Sequence, residues 1–96
     1  MNTTARQLAV LQQLRPFLQD DAAYGRLYGD LHDLLEMSAW LIKKFADIEG
    51  RSLSTSELES LLIDIDINFI QHASYHLSSL SKDLTVTLRQ FPDETA

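Results

Sequence analysis

Residues 54–91 read STSELESLLIDIDINFIQHASYHLSSLSKDLTVTLRQF, and the fold turns on whether this stretch is one long helix or a set of strands. Leu61 to Ile70 (LLIDIDINFI) alternates apolar with polar, and Leu84 to Leu88 (LTVTL) does so with β-branched residues; both are strand signals. Three features favour helix. Ser54 and Glu57 have the spacing of a capping box, in which each side chain accepts from the other residue's orphan backbone N–H. No Gly or Pro interrupts the stretch, whereas strands usually end after about five or six residues. Two apolar stripes also recur at steps of three and four: Leu58, Leu62, Ile65, Phe69, Ala73, His76 and Leu80 in one, and Ile63, Ile67, Ile70, Ser74, Leu77, Leu84 and Leu88 in the other. A helix apolar over that width meets two neighbours.

Upstream, Tyr24, Leu27, Leu31, Leu34, Ser38, Leu41, Phe45 and Ile48 form a heptad seam, opened by Asp20 and Asp21 at a positive helix N-terminus and closed by Gly50. The connection to Ser54 is short, and short connections make neighbouring helices antiparallel. Leu27, Leu31, Leu34, Leu41 and Phe45 are therefore expected to meet Leu58, Leu62, Ile65 and Phe69 in a hairpin core. A shorter helix precedes them: Thr4 and Gln7 have capping-box spacing, and Pro16 ends or kinks the winding near Arg15. The expectation is an all-α single domain over residues 1–96. Its helices span about 4–15, 21–49 and 54–90, its tail over 92–96 is frayed, and its long antiparallel hairpin pairs into a dimeric bundle.

Composition narrows the function. The 96 residues carry 8 Lys and Arg against 14 Asp and Glu, a net charge of -6, which disfavours nucleic acid as a ligand and favours a basic partner surface. There is no cysteine, hence no disulfide, thiolate metal site or Cys nucleophile. Residues 1–10 lack the apolar core of a signal peptide, and no run approaches a membrane span, so the cytoplasm is the expected compartment. Neither a nucleophile elbow nor a phosphate-binding glycine loop occurs, and no enzyme is expected.

Three histidines raise a metal reading. Folding the hairpin about its turn sets His32 opposite His72, with His76 one turn further. Against it, no Glu-x-x-His pair of the di-iron type occurs and Glu36 lies well round the helix, so ordinary hydrogen-bonded imidazoles are expected, and no metal or cofactor. Asp64, Asp66 and Asn68 spread round the third helix; only Asp66 lies between the stripes, where it would need a partner such as Arg26 or Lys43. Trp40 falls opposite the heptad seam with Met37 and Lys44. Large aromatics outside a core are enriched at interfaces, so Met37, Trp40, Lys44 and Tyr75, with Ile63, Ile67, Ile70 and Leu77 of the second stripe, form the expected protein interface, packing of Met37 and Trp40 under the first helix being the equal alternative.

Leu14-Arg15-Pro16 before a long helix, a short connection, and a closing helix with His72-Ala73-Ser74 that ends at Phe91-Pro92 give an outline that resembles small helical quorum-sensing antiactivators of the TraM and QslA kind. The resemblance implies a homodimer that sequesters a LuxR-type transcription factor. The residues alone support a broader expectation, a module that binds and inhibits or regulates a protein partner. A small secretion or assembly chaperone shielding a client helix, and a histidine-based metal-binding protein, are the alternatives.

Overall fold

The computed structural model of the chain describes residues 3–92, which form helices and no strand. Helix α1 (Thr3–Leu8) runs on as a 3-10 segment (Ala9–Phe17), followed by α2 (Asp21–Ile48) and α3 (Thr55–Ile65). A π-helical segment (Asp66–Gln71) then joins α3 to α4 (His72–Leu88) without a break. Both stretches with strand-like alternation are helical, and Leu61 to Ile70 holds the π segment. The fold is elongated, 57 × 28 × 27 Å.

The caps explain where the long helices begin. Asp20 is extended, and its Oδ1 accepts from the Ala23 amide at 2.8 Å, which satisfies one of the orphan donors at the start of α2. Ser54 and Glu57 form the full capping box: the Glu57 amide donates to Ser54 Oγ at 3.1 Å and the Ser54 amide to Glu57 Oε1 at 3.0 Å. Between the helices Gly50 takes φ 74°, a left-handed conformation in which a side chain would be strained.

The N-terminal segment departs from expectation. Thr4 does not cap; it already lies inside α1. Pro16 does not end the winding at Arg15, which instead tightens at Ala9 and runs to Phe17, where the Leu18 amide bonds Arg15 O at 3.2 Å. The missing proline donor accounts for the disturbed ladder nearby, but nothing in the structure explains why the tightening starts so far upstream. This segment is tied to the start of α2 and to the residues after α4, which share one end of the fold. Arg15 bonds Asp21 at 2.8 Å and lies 4.2 Å over the Tyr24 ring, while Phe17 stacks on Phe91 at 4.1 Å. Leu8 is buried where α1 packs on α2. Of the tail expected to fray, only Pro92 lies within the described residues.

Helix α2 packs chiefly on α4, and its buried face is turned by part of a step from the expected seam. Leu27, only 1 % exposed, lies on both; Ala23, Asp30 and Met37 are buried instead of Tyr24, Leu31 and Ser38, which are half-buried. On α4 the buried residues are Ala73, His76, Leu80 and Thr87. Leu34, Leu41, Ile65 and Phe69 are half-buried, but Phe45, Leu58 and Leu62, expected in the core, are exposed. The physical reason on α3 is that it stands off from α2 and buries no face, and the π segment in addition shifts its phase. The π bonds span five residues rather than four, so each such turn takes up about one residue more, and the face upstream of it rotates. Leu61 enters and Leu62 leaves.

Candidate functional site

Two places stand out on this frame. The first is the flank of α3, an eleven-residue helix with no buried residue although it carries Leu58, Leu61, Leu62, Ile63 and Ile65. Leu62 is 66 % exposed, and Leu58, Ile63, Ile67 and Ile70 are exposed with it. Phe45 and Ile42 on α2 are exposed as well, and an open cleft of about 600 Å³ lined by Phe45, Ile48, Leu53, Leu58 and Leu61 lies where α2 and α3 stand apart. Isolated helices this short are marginal in water, and the face that normally stabilises them has nothing against it here. Among the described residues one polar link, Lys44 to Asp64, ties α3 to α2, and contacts within each helix steady its two ends. Lys44 Nζ bonds Asp64 Oδ2 at 2.7 Å and lies 5.1 Å from the Trp40 ring, and Asn68 donates to Asp64 Oδ1 at 2.9 Å.

These contacts revise several expectations. Met37 is a core residue, 8 % exposed, because the turned seam brings it inward. Trp40 is half-buried rather than solvent-facing, and Lys44 is half-buried in its ion pair. Asp66 meets neither Arg26 nor Lys43: it is exposed and accepts from Gln71 at 3.4 Å, while Arg26 pairs with Asp83 at 3.3 Å and Lys44 with Asp64. Ile63, Ile67, Ile70 and Leu77 are exposed, as is Tyr75 at 73 %.

Two carboxylates on this end are held below the ordinary range. Glu57 is lowered first by the Ser54 backbone donor and then by the Ser54 hydroxyl, both of which favour the ionised form. Asp64 is lowered by the hydrogen bond from Lys44, then by the lysine's charge, with Asn68 adding to it. Both are local anchors of α3.

The second place is a cluster between α2 and α4. His76, buried, sets Nδ1 at 2.8 Å from Oδ1 of buried Asp30. Its other nitrogen, Nε2, lies 3.1 Å from His72 Nε2 and 3.0 Å from Asp33 Oδ2. Tyr75 packs edge-on against the His76 ring at 5.4 Å. Asp30 Oδ2 has no hydrogen-bond partner among the described residues. His32, which the sequence grouped with the other two histidines, is not part of this arrangement. It stacks on Tyr28 and faces Asp33 Oδ1 at 3.6 Å and Glu36 at 3.8 Å. Asp30 and Asp33 were missed, yet they sit three residues apart on one helix face, level with His76 once α2 is laid against α4.

Among the described residues no helix is long and apolar enough to cross a membrane. Comparison with protein-family models, with curated proteins and with solved structures gives no match to the chain.

Proposed function

We propose that the protein is a non-enzymatic interaction module: an antiparallel helical hairpin that pairs with a second copy through α3 and regulates a protein partner. The observation that carries this reading is α3 itself, a helix rich in leucine and isoleucine with no buried residue. The direction of the two rods is supported by three links, Lys44–Asp64, Asp30–His76 and Arg26–Asp83, in which the first number falls as the second rises.

A second copy is the natural occupant, since a two-fold pairing apposes the same stripe on both chains. Leu58 and Leu62 of one stripe and Ile63, Ile67 and Ile70 of the other are about half exposed or more, so a pairing that covers all five spans both stripes. Covering each recovers roughly 1 kcal/mol, so two copies gain on the order of 10 kcal/mol, within the range of about 4 to 15 kcal/mol that association costs. One copy's stripe against a polar surface would fall at the bottom of that range. Stable pairing thus calls for apolar surface on both sides.

For the regulated partner, a LuxR-type transcription factor is the specific form of the proposal. The outline resemblance supports it, and so does charge: a chain of net charge -6 complements the basic surface a DNA-binding protein presents to phosphates. Because the chain has no cysteine, Ile67→Cys provides a unique labelling position. Nitroxide attached there should give a narrow inter-copy distance distribution in pulsed electron resonance, and a bare background decay would count against pairing through α3. Co-expression should silence a reporter driven by the LuxR-type activator. Unchanged reporter output would remove the antiactivator form and leave the pairing to stand on its own.

A further inference from the structure

In the cluster between α2 and α4 the second ring nitrogen of His76 is shared by a carboxylate and another imidazole. Asp30 is an acceptor, so the His76 Nδ1 that lies 2.8 Å from it carries the proton. In the neutral ring Nε2 is then a lone pair, yet it faces the Asp33 carboxylate at 3.0 Å and His72 Nε2 at 3.1 Å. A lone pair at that distance from a carboxylate is repelled. A cation between them removes the conflict. A metal ion there takes a lone pair from all three groups at once.

The geometry also has the features of a metal site. One ligand atom each from Asp33, His72 and His76 lies within 4.8 Å of the others. The two short separations, 3.0 and 3.1 Å, are close to the edge of about 3.3 Å expected between donors on a tetrahedral zinc ion, while the widest, up to 4.8 Å, exceeds the roughly 4.2 Å that two zinc bonds span, so the half-exposed Asp33 and exposed His72 side chains must draw together on the ion. His72 and His76 stand one helical turn apart on α4, so the backbone fixes both imidazoles on one face. Asp30 supplies what a metal-bound histidine normally has, a carboxylate on the far ring nitrogen that sets the tautomer and orients the ring. His72 is exposed and the Asp33 side chain half-exposed, so an ion can enter from solvent.

We propose that Asp33, His72 and His76 bind a divalent transition-metal ion, zinc foremost, with Asp30 orienting His76 and a further coordination position open to solvent. Two imidazoles and one carboxylate suit zinc or iron(II) and disfavour calcium and magnesium, which prefer all-oxygen sites. The ion would bridge α2 to α4. Its binding is independent of pairing through α3.

The test is isothermal titration calorimetry of the full chain, stripped with chelator and titrated with zinc chloride, together with thermal unfolding followed by circular dichroism. Wild type should take up one zinc ion per chain, and Tm should rise on the order of 10 °C at a hundredfold excess over Kd. Because His72 is exposed, His72→Ala keeps the helical spectrum and should weaken zinc by at least about tenfold to a hundredfold, as should Asp30→Asn through the ring it orients. His32→Ala should leave the affinity unchanged. Absence of zinc binding by wild type, or equal affinity in wild type and His72→Ala, would overturn the proposal.

Discussion

Replacing His76 by leucine should cost far more stability than the loss of one polar contact. Asp30 and His76 are both buried, and the imidazole is the partner of Asp30 Oδ1 at 2.8 Å; Asp30 Oδ2 already has none. In His76→Leu the carboxylate keeps its burial and loses its counterpart, a change worth about 3 to 5 kcal/mol. For 96 residues a total stability of roughly 5 to 14 kcal/mol is expected, so this single substitution removes a large share of it. The double variant Asp30→Leu/His76→Leu removes both groups and fills the space with apolar atoms, and should fall within about 1 kcal/mol of wild type or above it. The assay is urea unfolding by circular dichroism, with chelator present so that no ion contributes and at matched protein concentration so that pairing does not shift the midpoints. A single variant as stable as wild type, or a double variant no better than the single, would refute the reasoning.

Leu27→Ala should destabilise by about 2 to 5 kcal/mol in the same urea assay, because Leu27 is the large side chain most completely buried, at 1 %. Gly25→Ala should raise stability by up to about 0.8 to 1 kcal/mol, since nothing lies within 4 Å of the added methyl in the second turn of α2; a loss instead would show that another molecule packs there. Glu57 and Asp64 are both lowered in the folded chain, so the stability they contribute is full above the ordinary carboxylate range and is lost as pH falls through their depressed values. The urea midpoint should therefore decline on acidification, and Glu57→Gln combined with Asp64→Asn should flatten that decline; an unchanged slope would mean that neither anchor matters.

Local signals were the legible part of this sequence. The cap at Asp20 and the capping box at Ser54 and Glu57 depend on residues within one turn, and both stand in the structure with the expected bonds. The phase of the seam was harder to read. Leu27 is common to the expected and the observed buried faces of α2, and apolarity alone chose Leu31 over Asp30 as its flank. Asp30 is buried because His76, 46 residues away, supplies its partner, and no local pattern can show that. The π segment was equally silent. Its sequence, DINFIQ, carries no breaker, and no local pattern shows that α3 stands off from α2 with Leu58 and Leu62 exposed. The metal-type cluster was half legible: two of its histidines lie one turn apart in sequence, while Asp33 depended on the register between helices.

The central claim is that the bare flank of α3 is covered by a second copy, and sedimentation velocity at micromolar concentration tests it most directly. Wild type should sediment at twice the 10.9 kDa chain mass, and Ile63→Asp, which sets a charge on an exposed position and spares the α2–α4 core, should sediment as the single chain. A wild-type protein that stays at 10.9 kDa across the concentration range would contradict the account.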